Sequence, residues 1–188
     1  DLPPVVVQRP EHIRQAQEKL DALVGLGPVR AMLDGVVGRL VYDAQEGEAS
    51  GLELPGMLFV GPPGTGKTTV AQLLAQLLYG YGVLDNDRCV TVTGAGLKAP
   101  FVGQSTERVR EAVIKARGGV LLIDEAYGLV SGESDEFGKE TQAELLVQVL
   151  APENLRTIFI LAGYEAQVDE MVERNPGMRR RFPTRVVF

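Results

Sequence analysis

Two short words, GPPGTGKTT at residues 61–69 and IDEAY at residues 123–127, hold the residue types that handle phosphate. In the first, Gly61, four further residues, then Gly66, Lys67 and Thr68 follow the apolar run MLFV. A helical pattern comes next, with Val70, Leu73, Leu74, Leu77 and Leu78 on one face. Strand, Gly-rich arc and helix in this order form a P-loop, which aims backbone N–H groups at phosphate oxygens from the positive end of the helix. Gly61, Gly64 and Gly66 supply the backbone freedom for that arc. The residues expected around the phosphates are Pro63, Gly64, Thr65, Gly66, Lys67, Thr68 and Thr69. Lys67 is expected at the β and γ phosphates and Thr68 on Mg²⁺ through its hydroxyl, with Thr69 beside them in the first helical turn.

The second word ends the apolar run VLLI. Asp124 is thereby delivered to the carboxyl edge of a sheet, where a carboxylate binds the water shell of Mg²⁺. Glu125 follows directly, and strand alternation turns it away from the metal, toward a water that it can orient and deprotonate. The plainer alternative makes Glu125 a solvated acid at a strand end. Together the two words predict hydrolysis of a nucleoside triphosphate. The chain holds no Asn-Lys-x-Asp word of the kind that reads guanine, so ATP is expected over GTP.

The rest of the chain must position these groups. Apolar runs at MLFV, CVTVT, VLLI, TIFIL and RVVF alternate with helical patterns, which describes a mostly parallel five-stranded sheet buried on both faces by helices. Ahead of it, DLPPVVVQRP reads as an extended lead-in, residues 11–23 as a helix, GLGP as a break and Val29 to Val41 as an amphipathic helix with DAQEGEASG as its exit loop. Later helices are expected near 139–150 and 165–173, with SGESDEFG at 131–138 the most loop-like interior stretch. Residues 1–24 thus read as an N-terminal segment and helix, and 25–188 as one α/β domain.

Composition narrows the partners. Of 19 Lys+Arg, five lie in RNPGMRRRFPTRVVF at the end, so the preceding 173 residues set 14 cations against all 25 acids. A chain that acidic is a poor general ligand for nucleic acid, whose affinity rests on many cations releasing counterions. The basic tail leaves three readings: a nucleic-acid patch, a solvated face, or the recognition of one phosphate on another subunit. A single cysteine, Cys89, and a single histidine, His12, exclude an internal disulfide and a zinc ligand set of Cys and His. No apolar run approaches the length of a membrane span, and no charged-then-apolar leader opens the chain, so a cytoplasmic protein is expected, or one of an organelle matrix if a targeting segment has been removed. Beginning at Asp1 and ending on an apolar run at Phe188, the chain reads as an excised piece.

With GPPGTGKTT and IDEAY, the words FGKE, ILAGY and NPGMRRRFP in this order resemble the AAA+ ATPases of the CbbX type, from about LVGLGPVR to the last residue. That group includes red-type rubisco activases, a sporulation ATPase and the ATPase of mycobacterial type VII secretion. The resemblance implies a P-loop NTPase fold, the AAA+ large subdomain, in a ring that is usually a hexamer, with ATP and Mg²⁺ between neighbours. It implies that an arginine after NPG reaches the neighbour's γ-phosphate, Arg181 first and Arg179 second, with Arg180 a surface charge. Gly25 and Leu26 correspond to a segment flanking adenine, against the alternative of a mere turn. Phe101, Val102 and Gly103 resemble an aromatic, aliphatic, glycine triplet on a loop facing the pore, which grips a protein client by apolar burial; the alternative is a loop anchored on the core. Two departures stand out. Many relatives end the fourth strand in Asn, Thr or Ser, whereas here Ala162, Gly163 and Tyr164 stand, and the C-terminal helical lid that the resemblance implies is not expected within these 188 residues. The expected function is an ATP-driven motor that remodels or threads a protein through a ring, with no nucleic acid and no membrane insertion. A nucleic-acid-directed motor or clamp loader and an ATP-controlled assembly scaffold are the rivals.

Overall fold

The computed structural model describes residues 8–45, 54–99, 101, 103–132 and 134–188. Strands β1 (Met57–Val60), β2 (Cys89–Thr93), β3 (Val120–Asp124), β4 (Ile158–Gly163) and β5 (Thr184–Val187) form one sheet in the order β2-β3-β4-β1-β5. Every pairing is parallel, so "mostly parallel" becomes wholly parallel. The reason lies in the connections: each passes over a face of the sheet through at least one helix, which returns the chain in the same direction. The helices are α1 (Pro10–Asp21), α2 (Gly27–Gln45), α3 (Lys67–Gly80), α4 (Gly94–Leu97), α5 (Gln104–Ala116), α6 (Glu136–Leu150), α7 (Glu165–Glu173) and α8 (Pro176–Arg181).

Alternation along the strands divides the core in two. Met57, Phe59, Val120, Leu122, Ile158 and Ile160 face α1, α2 and α3, packing with Val37, Leu40, Leu74 and Leu78. Their neighbours Leu58, Val60, Leu121, Ile123, Phe159 and Leu161 face the other way, toward Val109, Val113, Leu145, Val168, Met171 and Met178. Burying each of these larger side chains contributes about 1.5–3 kcal/mol, which is why uninterrupted apolar words became strands covered on both sides. Helix α1 joins the first half through Ala16 and Leu20, and Arg9 ties its start to the end of α3, donating from its backbone N–H to the Gly80 carbonyl at 2.6 Å.

Several boundaries differ from expectation. Helix α2 runs to Gln45, into the word read as its exit loop, and the rest of that loop lies outside the described residues, as does most of the Pro-rich lead-in. Glu136, Phe137 and Gly138 belong to α6 rather than to a loop, because the Asp135 carboxylate caps the helix by accepting from Gly138 N at 2.8 Å. Helix α8 was not expected: Asn175 caps it with its side-chain oxygen, accepting from Gly177 N at 3.0 Å, and Pro176 begins it. Strand β4 continues through Ala162 and Gly163.

Candidate nucleotide-binding site

At the carboxyl edge of β1 the chain enters the Gly-rich arc, and two glycines carry its turn. Gly64 has φ +73° and Gly66 φ +96°, both in the left-handed region where a side chain is strained. Gly66 also caps α3, and no side chain caps that helix. The first-turn N–H groups of a helix have no intrahelical partners, so α3 presents donors and the positive end of its dipole at the arc. Lys67 is buried beneath, its ammonium donating to the carbonyls of Pro62 at 2.6 Å and Gly61 at 3.0 Å. Burial lowers its pKa, and the Asp124 carboxylate partly offsets this. Thr68 is half-buried and Thr69 exposed.

Strand β3 brings Asp124 to the facing edge, where its Oδ1 accepts from Glu125 N at 2.9 Å. Glu125 lies just past the strand, at φ 47° and ψ 47°, and is the one non-glycine among the described residues with positive φ. Its direction is therefore set by a left-handed turn, not by strand alternation as expected. Holding a glutamate there costs roughly 1–3 kcal/mol, a strain of the kind that collects where a side chain must point one particular way. The turn is closed by Gly128 N donating to the Glu125 carbonyl at 2.8 Å.

Arc and strand end face each other across an open cleft of about 370 Å³, lined by Pro63, Gly64, Gly66, Lys67, Thr68 and Thr69 on one side and Asp124 and Glu125 on the other. Thr65 stands in the arc, its hydroxyl donating to the Pro62 carbonyl at 2.8 Å. Leu26 approaches from outside: a Cβ on Gly66 would lie 3.5 Å from its Cδ1, while Gly25 turns the chain with φ +81°. Two lining residues escaped the sequence reading, Tyr127 and Tyr164. The word IDEAY contains the first, but the turn at Glu125 that swings it into the cleft has no sequence signal of its own.

The remaining candidates lie elsewhere. Arg179 and Arg180 are exposed on α8 and Arg181 is half-buried; none of the three lines the cleft of its own chain. The Arg181 carbonyl accepts from Gly56 N at 3.0 Å, and buried Met178 and Phe182 anchor the helix on both sides of the arginines. Phe101 is 65% exposed. Val102 lies outside the described residues, and Gly103 caps α5 with φ +82°. Cys89 is half-buried on β2, and burial, partly opposed by a hydrogen bond with Thr91, pushes its thiol up to about 11.

Comparison with known proteins places this arrangement. Residues 57–188 match the family described as "ATPase family associated with various cellular activities (AAA)". The chain is 37% identical over 183 residues to ESX-1 secretion system protein EccA1 of Mycobacterium leprae, covering 94% of this chain and 32% of that protein. It is 32% identical to stage V sporulation protein K of Bacillus subtilis, over 94% of this chain and 55% of that one. To the chromosomal protein CbxX of Cupriavidus necator it is 39% identical, over 88% of this chain and 53% of the relative. The chain thus spans between a third and about half the length of these relatives. Among solved structures, a chain of the E. coli HORMA:CdnC:Trip13 complex superimposes with a TM-score of 0.63 at 19% identity, over 93% of this chain and 67% of that one, a likeness of fold. With its parallel sheet, P-loop and acidic strand end, the chain has the P-loop NTPase fold of an AAA+ large subdomain and belongs to the AAA ATPase family, in the CbbX-like group that these relatives represent.

Proposed function

We propose that the chain is the ATP-hydrolysing module of a ring-forming motor, which converts ATP hydrolysis into the remodelling of a protein.

 The observation that carries this reading is the cleft itself, where the start of α3, which no side chain caps, and the Lys67 ammonium face the Asp124 and Glu125 carboxylates. In this reading the P-loop amides and Lys67 hold the β and γ phosphates, and Glu125 takes a proton from the attacking water. A Mg²⁺ ion beside the phosphates completes the reading. Thr68 and Asp124 would hold that ion, which supplies neutralisation of the charge developing on the phosphates. Residues 25–188 form the ATPase large subdomain, with the N-terminal segment and α1 appended.

Arg181 acts on the cleft of a neighbouring subunit, with Arg179 as the second candidate, in a closed ring that we take to be a hexamer. Support comes from their placement on a capped, anchored helix away from their own cleft. The tail does not make a continuous basic patch. Arg174 pairs with Glu170 at 2.6 Å, and Arg185 pairs with Asp169 and Glu165 on α7. Lys98, the cation next to the exposed Phe101 loop, is likewise spent on Asp135 at 3.0 Å. These internal pairs weigh against nucleic acid as the client, and the exposed Phe101 ring favours a polypeptide held by apolar burial. No helix among the described residues is long and apolar enough to cross a membrane.

Phosphate release by the full-length protein with Mg²⁺ and ATP tests the reading, with Glu125→Gln as control. The variant is expected to bind ATP and to lose at least ~100-fold in rate, the usual worth of a general base. Equal rates would remove Glu125 from its role, and slow release by both proteins would favour an assembly scaffold. Capture of client by the ATP-bound variant, with protein and nucleic acid recovered separately, distinguishes the two classes of motor.

A further inference from the structure

Tyr127 stands two residues beyond Glu125, in the 3₁₀ turn Ala126–Leu129. One backbone hydrogen bond and two ring contacts hold it in place. The turn that carries it is closed by the Gly128 to Glu125 hydrogen bond. On one side the ring lies against the bare Cα of Gly163, where an added Cβ would come within 3.0 Å of Cε1 and 3.1 Å of Cδ1. On another the Tyr164 ring packs at a tilt, 6.2 Å between centroids. Its hydroxyl has no hydrogen-bond partner among the described residues, yet the side chain lines the same cleft as Asp124 and Glu125. Burial raises the phenol's pKa, and the nearby Glu125, Tyr164 and Asp124 raise it further, so it stays protonated at neutral pH.

A water attacking the terminal phosphate in line needs its orientation fixed by more than the base that takes its proton. Strand β4 ends in Ala162 and Gly163, which offer no polar side chain for this, and the cleft's threonines belong to the first turn of α3, on the phosphate side. A phenol both donates and accepts. We propose that the Tyr127 hydroxyl hydrogen-bonds the water that Glu125 activates and is a further catalytic residue of the reaction. In the step the water oxygen bonds to the γ-phosphorus, the bond from that phosphorus to the β–γ bridging oxygen breaks, ADP leaves and one water proton passes to the Glu125 carboxylate. Tyr127 keeps its own proton throughout.

The inference rests on the ATPase reading, and Tyr127→Phe in the full-length protein tests it, because the ring and its packing on Gly163 are retained. Steady-state phosphate release is expected to fall at least ~10-fold in kcat, toward the ~10²–10³-fold lost when one positioned hydrogen-bond donor is removed. The KM for ATP, binding of a fluorescent ATP analogue and the melting temperature stay at wild-type values. Adding Tyr127→Phe to Glu125→Gln produces little further loss, since both act on one water. Wild-type kcat in Tyr127→Phe, or a kcat that falls together with ATP affinity or melting temperature, overturns the inference alone. A wild-type protein that releases no phosphate overturns the ATPase reading and this inference with it.

Discussion

At the scale of single residues, the site depends on one side chain that is missing. Gly163 lets Tyr127 and Val168 close over the end of β4, and a Cβ there would stand 3.0–3.1 Å from both. Gly163→Ala is therefore expected to destabilise the protein by about 1–3 kcal/mol, read from the midpoint of urea unfolding, because the neighbours must give way. The same contact explains what was legible in the sequence. Lys67, Thr68, Asp124 and Glu125 belong to two unbroken words whose spacing carries their chemistry, so they could be named without coordinates. Tyr127 could not, because its place depends on meeting Gly163 from a strand end 36 residues away along the chain.

At the scale of elements, Asp135 joins three pieces. Its Oδ1 caps α6, while its Oδ2 accepts from Ser131 N at 2.7 Å and from the Lys98 ammonium at 3.0 Å. Glu140 does similar work at the other end of the Phe101 loop, accepting from Gly103 N at 3.0 Å and from the Thr106 hydroxyl at 2.9 Å. Burial alone would raise the Asp135 pKa, but the Ser131 N–H, the Lys98 ammonium and the Gly138 N–H together hold it below its ordinary value. A carboxyl depressed by folding stabilises the protein above its unfolded pKa and loses that contribution as pH falls through the folded one. Asp135→Asn is expected to cost about 1.5–3 kcal/mol at pH 7. Urea titrations at pH 7 and in acid check the sign, since the gap between variant and wild type should close as the wild-type carboxyl protonates. Sequence reasoning treated this stretch as a loop because Ser, Gly, Glu and Asp dominate it, and the cap became visible only with its partner amide. The start of α8 is legible in the sequence, for Asn followed by Pro is a helix-start signal.

At the scale of the whole molecule, the arginine proposal predicts complementation. Arg181→Ala alone should bind ATP and lose hydrolysis by ~10³-fold or more, as removal of an arginine finger does elsewhere. Mixed with the likewise impaired Glu125→Gln, it should regain phosphate release, because an Arg181→Ala cleft beside a Glu125→Gln neighbour has an intact glutamate and receives an intact arginine. Co-assembled rings that stay inactive would refute action between subunits. The overall layering was readable from the alternation of apolar words with helical patterns, whereas the strand order was not, since nothing local states which strands become neighbours.

That order has a consequence for synthesis. Strand β1, which leads into the phosphate arc, pairs on its two sides with β4 and β5, which lie within residues 158–187. A ribosome that has just passed Glu125 has already produced every P-loop and acidic residue of the cleft, yet neither strand that flanks β1 has been made. The strand that presents the phosphate arc is therefore fixed in the sheet only when β4 and β5 have joined it, and until then Met57–Val60 lack a neighbour on either side.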